Sequence, residues 1–204
     1  MIDLYMWGTS NGLRASVALA ECGLEHRIHK VDLTKGEQKK PEFLALNPAG
    51  QIPVMVDPAG PDGARLVLAQ SGAILLYAAE KSGKFLPKDA ARRAIAWQWL
   101  LMGAADLASA SSALFLTEAQ VPEKSARNAE FFKGRLMRFF ALLDQRLGGR
   151  EYLADEISVA DLMIYPVYAA RKALVEAAGG MANLQRWGAL LASRPGVQRG
   201  MSAA

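Results

Sequence analysis

The sequence predicts two halves of different class, an α/β half up to about residue 85 and an all-helical half beyond it. In the first half, strand-like apolar runs alternate with stretches whose apolar residues recur at helical spacing. Such alternation is typical of a sheet covered by helices. From Asp89 onward only helical spacing remains. The sequence therefore predicts domains at residues 1–83 and 89–204, joined by a linker at residues 84–88.

The α/β half contains seven predicted elements in the order β-α-β-α-β-β-α. Gly23 ends the first helix, because glycine readily adopts the left-handed conformation at a helix C-terminus. A turn rich in Pro and Gly separates the last two strands, which therefore form a predicted hairpin. This order implies a mixed sheet with helices on its faces. The predicted bounds, in chain order, are Ile2–Trp7, Asn11–Cys22, Arg27–Leu33, Pro41–Leu46, Val54–Asp57, Leu66–Leu68 and Ser71–Lys81.

The helical half contains four predicted helices. Ser158 and Asp161 have the spacing of a capping box at the start of the third one, and Ile157 can pack on Leu162 as a hydrophobic staple. The other three span Ala90–Thr117, Glu123–Leu147 and Leu184–Ala192. We expect Arg194-Pro195-Gly196 to end the last helix.

Composition and charge exclude several classes of protein. The 24 basic and 20 acidic residues give a net charge of +4 without a basic cluster, so nothing indicates nucleic-acid binding. The single cysteine, Cys22, allows no internal disulfide and favours a reducing compartment. No uncharged apolar stretch reaches the roughly 18 residues of a membrane span, and no secretory signal is visible. We expect a soluble cytoplasmic protein without a metal site, because His26 and His29 lack neighbours at metal-ligand spacing.

Two short motifs frame the predicted hairpin, Gln51-Ile52-Pro53 before it and Gln70-Ser71 after it. A proline cannot donate to a strand ladder, so Pro53 belongs at a strand start or an edge. Ser71 begins a helix, where its hydroxyl lies beside unpaired backbone N–H groups. These donors favour binding of a carboxylate.

A third motif, Thr9-Ser10-Asn11, lies between the first strand and the first helix. It offers two hydroxyls, an amide and the free N–H groups of a helix start. Hydrogen-bond donors and the helix dipole both favour a negative sulfur over a thiol. Since none of these positions is a tyrosine or a cysteine, a sulfur bound here would have to come from a ligand.

These features together resemble the glutathione transferase superfamily over essentially the whole chain. Pro53 matches the cis proline before the third strand of that family's thioredoxin-like domain, and Ser158-Val159-Ala160-Asp161 matches the capping box of its helical domain. More narrowly, Ile2-Asp3-Leu4-Tyr5, Thr9-Ser10-Asn11-Gly12, Lys35-Gly36-Glu37-Gln38 and Pro41-Glu42-Phe43 are similar to the bacterial Nu-class subgroup. That subgroup carries proline where this chain has Ser10.

The resemblance implies glutathione as co-substrate and assigns roles to residues. Ser71 would bind the γ-glutamyl carboxylate and Gln70 the same end of the ligand, although the subgroup usually has glutamate at position 70. Ile52 would pair its backbone with the cysteinyl residue, in a geometry that Pro53 permits. The remaining assignments are Gln38 and Gln51 at the glycyl end, with Asn11 and Thr9, or alternatively Ser10, at the thiolate.

Two hypotheses of function follow from the resemblance. In the first, the protein is a glutathione transferase-like homodimeric enzyme. It would conjugate glutathione to small apolar electrophiles in detoxification, or reduce disulfides or peroxides with it. In the second, it is a non-catalytic dimeric binding or regulatory module that kept the fold. We expect Cys22 to be a buried apolar residue, and we expect Trp97, Trp99, Met102 and Phe115 to lie in the core or an interface.

Overall fold

The computed structural model describes residues 1–203, which form two compact units. The first unit comprises Met1–Leu86 together with residues 192–203, and the second comprises Pro87–Leu191. The C-terminal segment therefore clusters with the α/β unit, whereas the predicted domain boundaries placed it with the helices.

A four-stranded mixed sheet forms the centre of the first unit. Its strands are β1 (Ile2–Met6), β2 (His26–Lys30), β3 (Val54–Asp57) and β4 (Leu66–Ala69), arranged in the order β2-β1-β3-β4. β1 runs parallel to β2, and β3 runs antiparallel to both β1 and β4. The predicted β-α-β-α-β-β-α order is confirmed.

The helices of the first unit are α1 (Ser10–Cys22), α2 (Pro41–Leu44), α3 (Ser71–Ser82) and a C-terminal helix. Gly23 ends α1 in the left-handed conformation, with φ 72°, as predicted. Leu4, Met6, Val17 and Leu19 are fully buried, which places the core between the sheet and α1.

The predicted helix end before Arg194-Pro195-Gly196 is confirmed at Ala192, but that helix is not the last one, because a further helix spans Pro195–Met201. Pro195 occupies the first turn of the new helix, where proline is well tolerated because that N–H has no helical partner. The helix packs closely on α1, since a Cβ on Gly200 would lie 2.4 Å from Cα of Val17. Glu21 strengthens this contact by accepting hydrogen bonds from Arg194 and from the backbone of Val197.

The second unit is helical, as predicted, with differences at the helix ends. Its helices are α4 (Ala90–Leu101), α5 (Ala108–Phe115), α6 (Ala126–Arg146), α7 (Val159–Ala178) and α8 (Ala182–Ala192), which makes the C-terminal helix α9. The chain from Ala90 to Gln120 is continuously helical, with π-helical segments at Met102–Leu107 and Leu116–Gln120. α6 begins three residues later than predicted because Ser125 caps it.

The predicted capping box at the start of α7 is confirmed. Both carboxylate oxygens of Asp161 are bonded: Oδ2 accepts from the N–H of Ser158 at 3.0 Å, and Oδ1 from Nε1 of Trp187 at 2.9 Å and the N–H of Leu153. Asp161 is fully buried. Burial raises the pKa of its carboxyl from 3.8 to about 6, against the opposing effect of these donors.

The helical stretch Ala90–Gln120 is long and apolar enough to cross a membrane by length and composition, with a mean hydropathy of 1.4 over one window of which 28% is buried. A single helix of this kind is weak evidence for a membrane protein. Its exposed side carries large apolar residues, namely Trp97, Leu101, Phe115 and Leu116.

Candidate active site

The three sequence motifs meet at one end of the sheet. Thr9 follows the carboxyl end of β1, Pro53 precedes β3, and Gln70 follows β4. Val54 pairs with Ala69 in the antiparallel register of β3 and β4, so Pro53 and Gln70 are the next opposed positions. Val54 also pairs with Tyr5 of β1. The sheet therefore brings together residues that lie about 60 positions apart in the chain.

Thr9, Ser10 and Asn11 occupy the first positions of α1. Thr9 is the N-cap, and its Oγ1 accepts a hydrogen bond from the N–H of Gly12 at 3.4 Å. Asn11 is exposed to solvent. Glycine is required at position 12, because a Cβ there would lie 2.2 Å from the carbonyl oxygen of Trp7. The helix start is thus pressed against the end of β1.

The side chain of Asn11 is held by a hydrogen bond from Arg14, whose own side chain lies in the protein interior. Nη1 of Arg14 donates a hydrogen bond of 2.6 Å to Oδ1 of Asn11. The Arg14 side chain is fully buried, and this burial lowers the pKa of its guanidinium from 12.5 to about 10. Sequence reasoning missed Arg14, since a single arginine on a helix usually lies at the surface.

The hairpin motifs also take the predicted places. The Ile52–Pro53 peptide bond is cis, as expected, and Pro53 is buried. Gln70 precedes α3 with φ 73°, a left-handed conformation that is unfavourable for a residue with a Cβ and is concentrated at functional sites. Its side chain makes no capping hydrogen bond. Ser71 is the buried first residue of α3, so Gln70, not Ser71, is the N-cap.

Gln38 and Gln51 both precede β3 in the chain, and the fold brings them close together in space. Gln38 belongs to a 3₁₀ turn at Glu37–Lys39. A Cβ on Gly50 would lie 3.3 Å from the backbone oxygen of Gln38, which places Gln38 beside Gln51. Among the described residues, Oε1 of Gln38 is buried without a hydrogen-bond partner, and buried acceptors of this kind call for a ligand or water. Gln51 is exposed.

A cavity of about 360 Å³ lies on the α2 side of the same unit. Its aromatic lining includes Phe43 and the stacked rings of Tyr5 and His29, which are 4.5 Å apart, and Glu37 and Lys40 are among its charged residues. None of the predicted site residues lines it.

Nε2 of His29 donates a hydrogen bond of 2.7 Å to Oδ1 of the Asp3 carboxylate. The bond with His29, followed by that with Arg27, lowers the pKa of Asp3. The sequence did not predict this cluster, because Asp3 and His29 become neighbours only when β1 and β2 pair in the sheet.

Cys22 is buried, and this burial raises the pKa of its thiol. The prediction of a buried apolar residue is confirmed, since a raised pKa disfavours the reactive thiolate. Within residues 1–203 no group of three or more His, Cys, Asp or Glu side chains is arranged to hold a metal ion.

Comparison with known families identifies the chain. Residues 10–81 match the model of the glutathione S-transferase N-terminal domain, and residues 105–199 match that of the C-terminal domain. The disulfide-bond oxidoreductase YfcG of Escherichia coli is 38% identical over 81% of this chain and 78% of its own length. YghU, a second disulfide-bond oxidoreductase from that organism, is 33% identical over 98% and 73% of the two chains. This protein belongs to the glutathione S-transferase family.

Solved structures agree with this assignment. A glutathione transferase from Pseudomonas putida, with one glutathione disulfide bound per subunit, superimposes with a TM-score of 0.90 at 34% identity and covers 98% of this chain and 90% of that one. A glutathione transferase from Burkholderia graminis, with two glutathione molecules bound per subunit, gives the same TM-score and identity and covers 98% and 87%. The first unit accordingly has the thioredoxin-like fold expected from the sequence.

Proposed function

We propose that this protein is an enzyme that binds glutathione as its thiolate and uses it to reduce disulfides. The observation that carries the proposal is the pair of helix starts at one sheet end. Neither α1 nor α3 has an acidic residue in its first turn. Both positive helix ends therefore remain available for an anionic ligand. Glutathione supplies the two anions required, a thiolate and a carboxylate.

The site residues take the following roles in this proposal. Ser71 and the free N–H groups of α3 bind the γ-glutamyl carboxylate, and the side chain of Gln70 binds the same end of the ligand. The backbone of Ile52 pairs with the cysteinyl residue in an extended arrangement, which Pro53 permits by ending the strand there. Gln38 and Gln51 face the glycyl end. Thr9 and Asn11 donate to the sulfur, with Ser10 as the alternative donor.

Disulfide reduction then needs no protein thiol. The bound thiolate attacks one sulfur of the substrate disulfide, which forms a mixed disulfide with glutathione and releases the first substrate thiolate. A second glutathione thiolate attacks the glutathione sulfur of that mixed disulfide, which yields glutathione disulfide and the second substrate thiolate. Each released thiolate takes up a proton that a glutathione thiol lost. The burial of Cys22 supports this scheme, and neighbours have two glutathione molecules or their disulfide bound.

Conjugation of glutathione to a small apolar electrophile is the second candidate. It is supported by relatives named glutathione S-transferase, such as a zeta-class protein of Euphorbia esula that is 34% identical over 81% of this chain and 73% of its own length. Both reactions start from the same bound thiolate, and peroxide reduction would do so as well. They differ only in the atom that the sulfur attacks.

Homodimer formation, cytoplasmic location and detoxification belong to the same proposal. Exposed apolar side chains on the helical stretch Ala90–Gln120, with Leu101 60% exposed, provide a surface that a second copy can cover. The domain division at residues 1–83, 84–88 and 89–204 is part of the proposal as a division of the chain by sequence, although residues 192–203 cluster with the first unit in the fold. Sedimentation of Leu101→Lys tests the dimer, which this charge should dissociate.

The proposed function is tested by binding and turnover together. Isothermal titration should give submillimolar dissociation constants for glutathione and for its disulfide. Reduction of a small disulfide, such as hydroxyethyl disulfide, should depend on glutathione and should yield one glutathione disulfide per substrate. Conjugation to an aromatic halide without disulfide reduction would favour the second candidate. Absence of both activities with a stable protein partner would instead support a binding module.

A further inference from the structure

The buried guanidinium of Arg14 has no role in the function proposed above. Arg14 is 2% exposed and lies in α1, one turn after Asn11. Its pKa of about 10 leaves it cationic at neutral pH. Burying a cation is costly unless its contacts compensate for the lost water. A contact between this cation and a candidate catalytic side chain therefore calls for an explanation.

That contact decides which way the Asn11 amide faces. Nη1 of Arg14 donates to Oδ1 of Asn11 at 2.6 Å. A guanidinium has only donors, so the amide atom beside it has to be the oxygen. The NH₂ group then lies on the other side of the amide carbon, away from Arg14. Within residues 1–203 the Asn11 side chain makes no other hydrogen bond, so nothing else fixes this orientation.

Thr9 shows the same arrangement. Its Oγ1 accepts from the N–H of Gly12, so the hydroxyl hydrogen remains to donate outward. Both candidate side chains thus have their acceptor oxygens engaged within α1 and present donors to a ligand. A surface of donors favours a thiolate over a neutral thiol. An unrestrained amide would also present its oxygen, which would repel the anion.

We propose that Arg14 is a positioning residue, whose hydrogen bond to Oδ1 of Asn11 holds the amide with its NH₂ group toward the sulfur of bound glutathione. The inference rests on the proposed function and names a further residue of the same site. Arg14 does not touch the ligand in this scheme. It acts through Asn11, and its charge makes the restraint about twice as strong as a neutral hydrogen bond.

The decisive measurement is the pKa of the bound glutathione thiol. It is obtained from the ultraviolet absorbance of the thiolate, recorded as the pH is varied. Arg14→Met should raise this pKa by about one unit, which lowers the ratio of thiolate to thiol roughly tenfold at a given pH. Asn11→Ala should raise it at least as much. The double variant should match Asn11→Ala alone, because Arg14 has nothing left to orient. Additive increases, or an unchanged pKa in Arg14→Met, would overturn the proposal.

Arg199→Met is the matched control. Arg199 also contacts α1, but through the carbonyl of Ala20 near its other end, so the thiol pKa should stay at the wild-type value. If Arg14→Met does not fold, Arg14→Lys and Asn11→Asp replace it. Lysine can still donate to Oδ1 and should keep most of the wild-type thiolate. Aspartate keeps the acceptor for Arg14 but has no donor, so it should raise the thiol pKa as Asn11→Ala does; a wild-type pKa in Asn11→Asp would refute the positioning role.

Binding of S-methylglutathione separates this inference from the proposed function. The methylated ligand has no ionisable sulfur, so its affinity should be unchanged in Arg14→Met. A parallel loss of affinity for it would show a merely structural role for Arg14. If the wild-type protein binds neither ligand, the proposed function fails and the positioning role fails with it. If it binds both and only the Arg14 effect is absent, the positioning role alone fails.

Discussion

The first turns of α1 and α7 each contain backbone N–H groups without a helical partner. The two helices treat these groups in opposite ways. At α7, Ser158 and Asp161 close the helix end from within, and both side chains are fully buried. At α1, Thr9 makes one long hydrogen bond and the first turn contains no acid. Since an acid near a helix start balances its dipole, α7 is neutralised by its own side chain, whereas α1 retains its positive end.

This difference separates a helix end that stabilises the protein from one that is proposed to bind a ligand. Asp161 is bonded by donors from three residues, so it cannot turn toward a substrate. Asn11 is bonded on its acceptor side only. The second unit therefore places its own anion at a helix start, and in the proposed function glutathione supplies the anion at the start of α1.

Removal of the α7 anion should have the largest effect. Asp161→Ala leaves the N–H groups of Ser158 and Leu153 and Nε1 of Trp187 buried without an acceptor, which we expect to lower the free energy of unfolding by about 4 kcal/mol. Urea denaturation measures this loss. The exposed Glu156 provides the control, because Glu156→Ala should change stability by less than about 0.5 kcal/mol. A similar small change in Asp161→Ala would mean that the capping box is not what stabilises this helix.

The protonation of Asp161 should make stability depend on pH. Its folded pKa of about 6 lies above the ordinary 3.8, so the folded protein binds this proton more tightly than the unfolded chain does. Its contribution is fully present below pH 3.8 and is lost as the pH rises through 6, by at most roughly 3 kcal/mol. Urea denaturation of wild type and Asp161→Asn across this range isolates the effect. A stability difference between the two that does not fall with rising pH would contradict it.

At α1, Asn11→Ala should lower the turnover number on the order of 10²-fold, the usual cost of one donor to a developing or stabilised anion. The dissociation constant of S-methylglutathione should change little, because the sulfur contact is a small part of binding. Steady-state rates of disulfide reduction and titration calorimetry measure the two quantities. Ser10→Ala is the control, and a larger loss there than in Asn11→Ala would transfer the thiolate role to Ser10.

The smallest effect is expected at the start of α3. Ser71→Ala removes one hydroxyl from the carboxylate site and should weaken glutathione binding about tenfold, as for one hydrogen bond to a charged group. Ser82→Ala, at the other end of the same helix, should leave the affinity unchanged. If the wild type, Ser71→Ala and Ser82→Ala all bind glutathione with equal affinity, Ser71 is excluded from the ligand site.

Much of the fold was predictable because its signals are local. Gly23, the Ser158–Asp161 spacing and the apolar periodicity each depend on a few neighbouring residues. α9 was missed because the signals conflict: Pro195 ends one predicted helix and begins the observed one. Only the close packing of Gly196 and Gly200 on α1 distinguishes the two outcomes, and that packing is not visible in the local sequence.

The sequence by itself determined which chemical groups the candidate site contains, since Thr9, Asn11, Gln70 and Ser71 were identifiable from helix starts and a strand-entry proline. Tertiary structure decided how these groups are used. The β3–β4 register opposes Pro53 and Gln70, and burial turns Arg14 from an ordinary helical residue into the restraint on Asn11. The reason is physical: hydrogen-bonding capacity belongs to a side chain, whereas burial and the direction of its donors depend on segments distant in the chain.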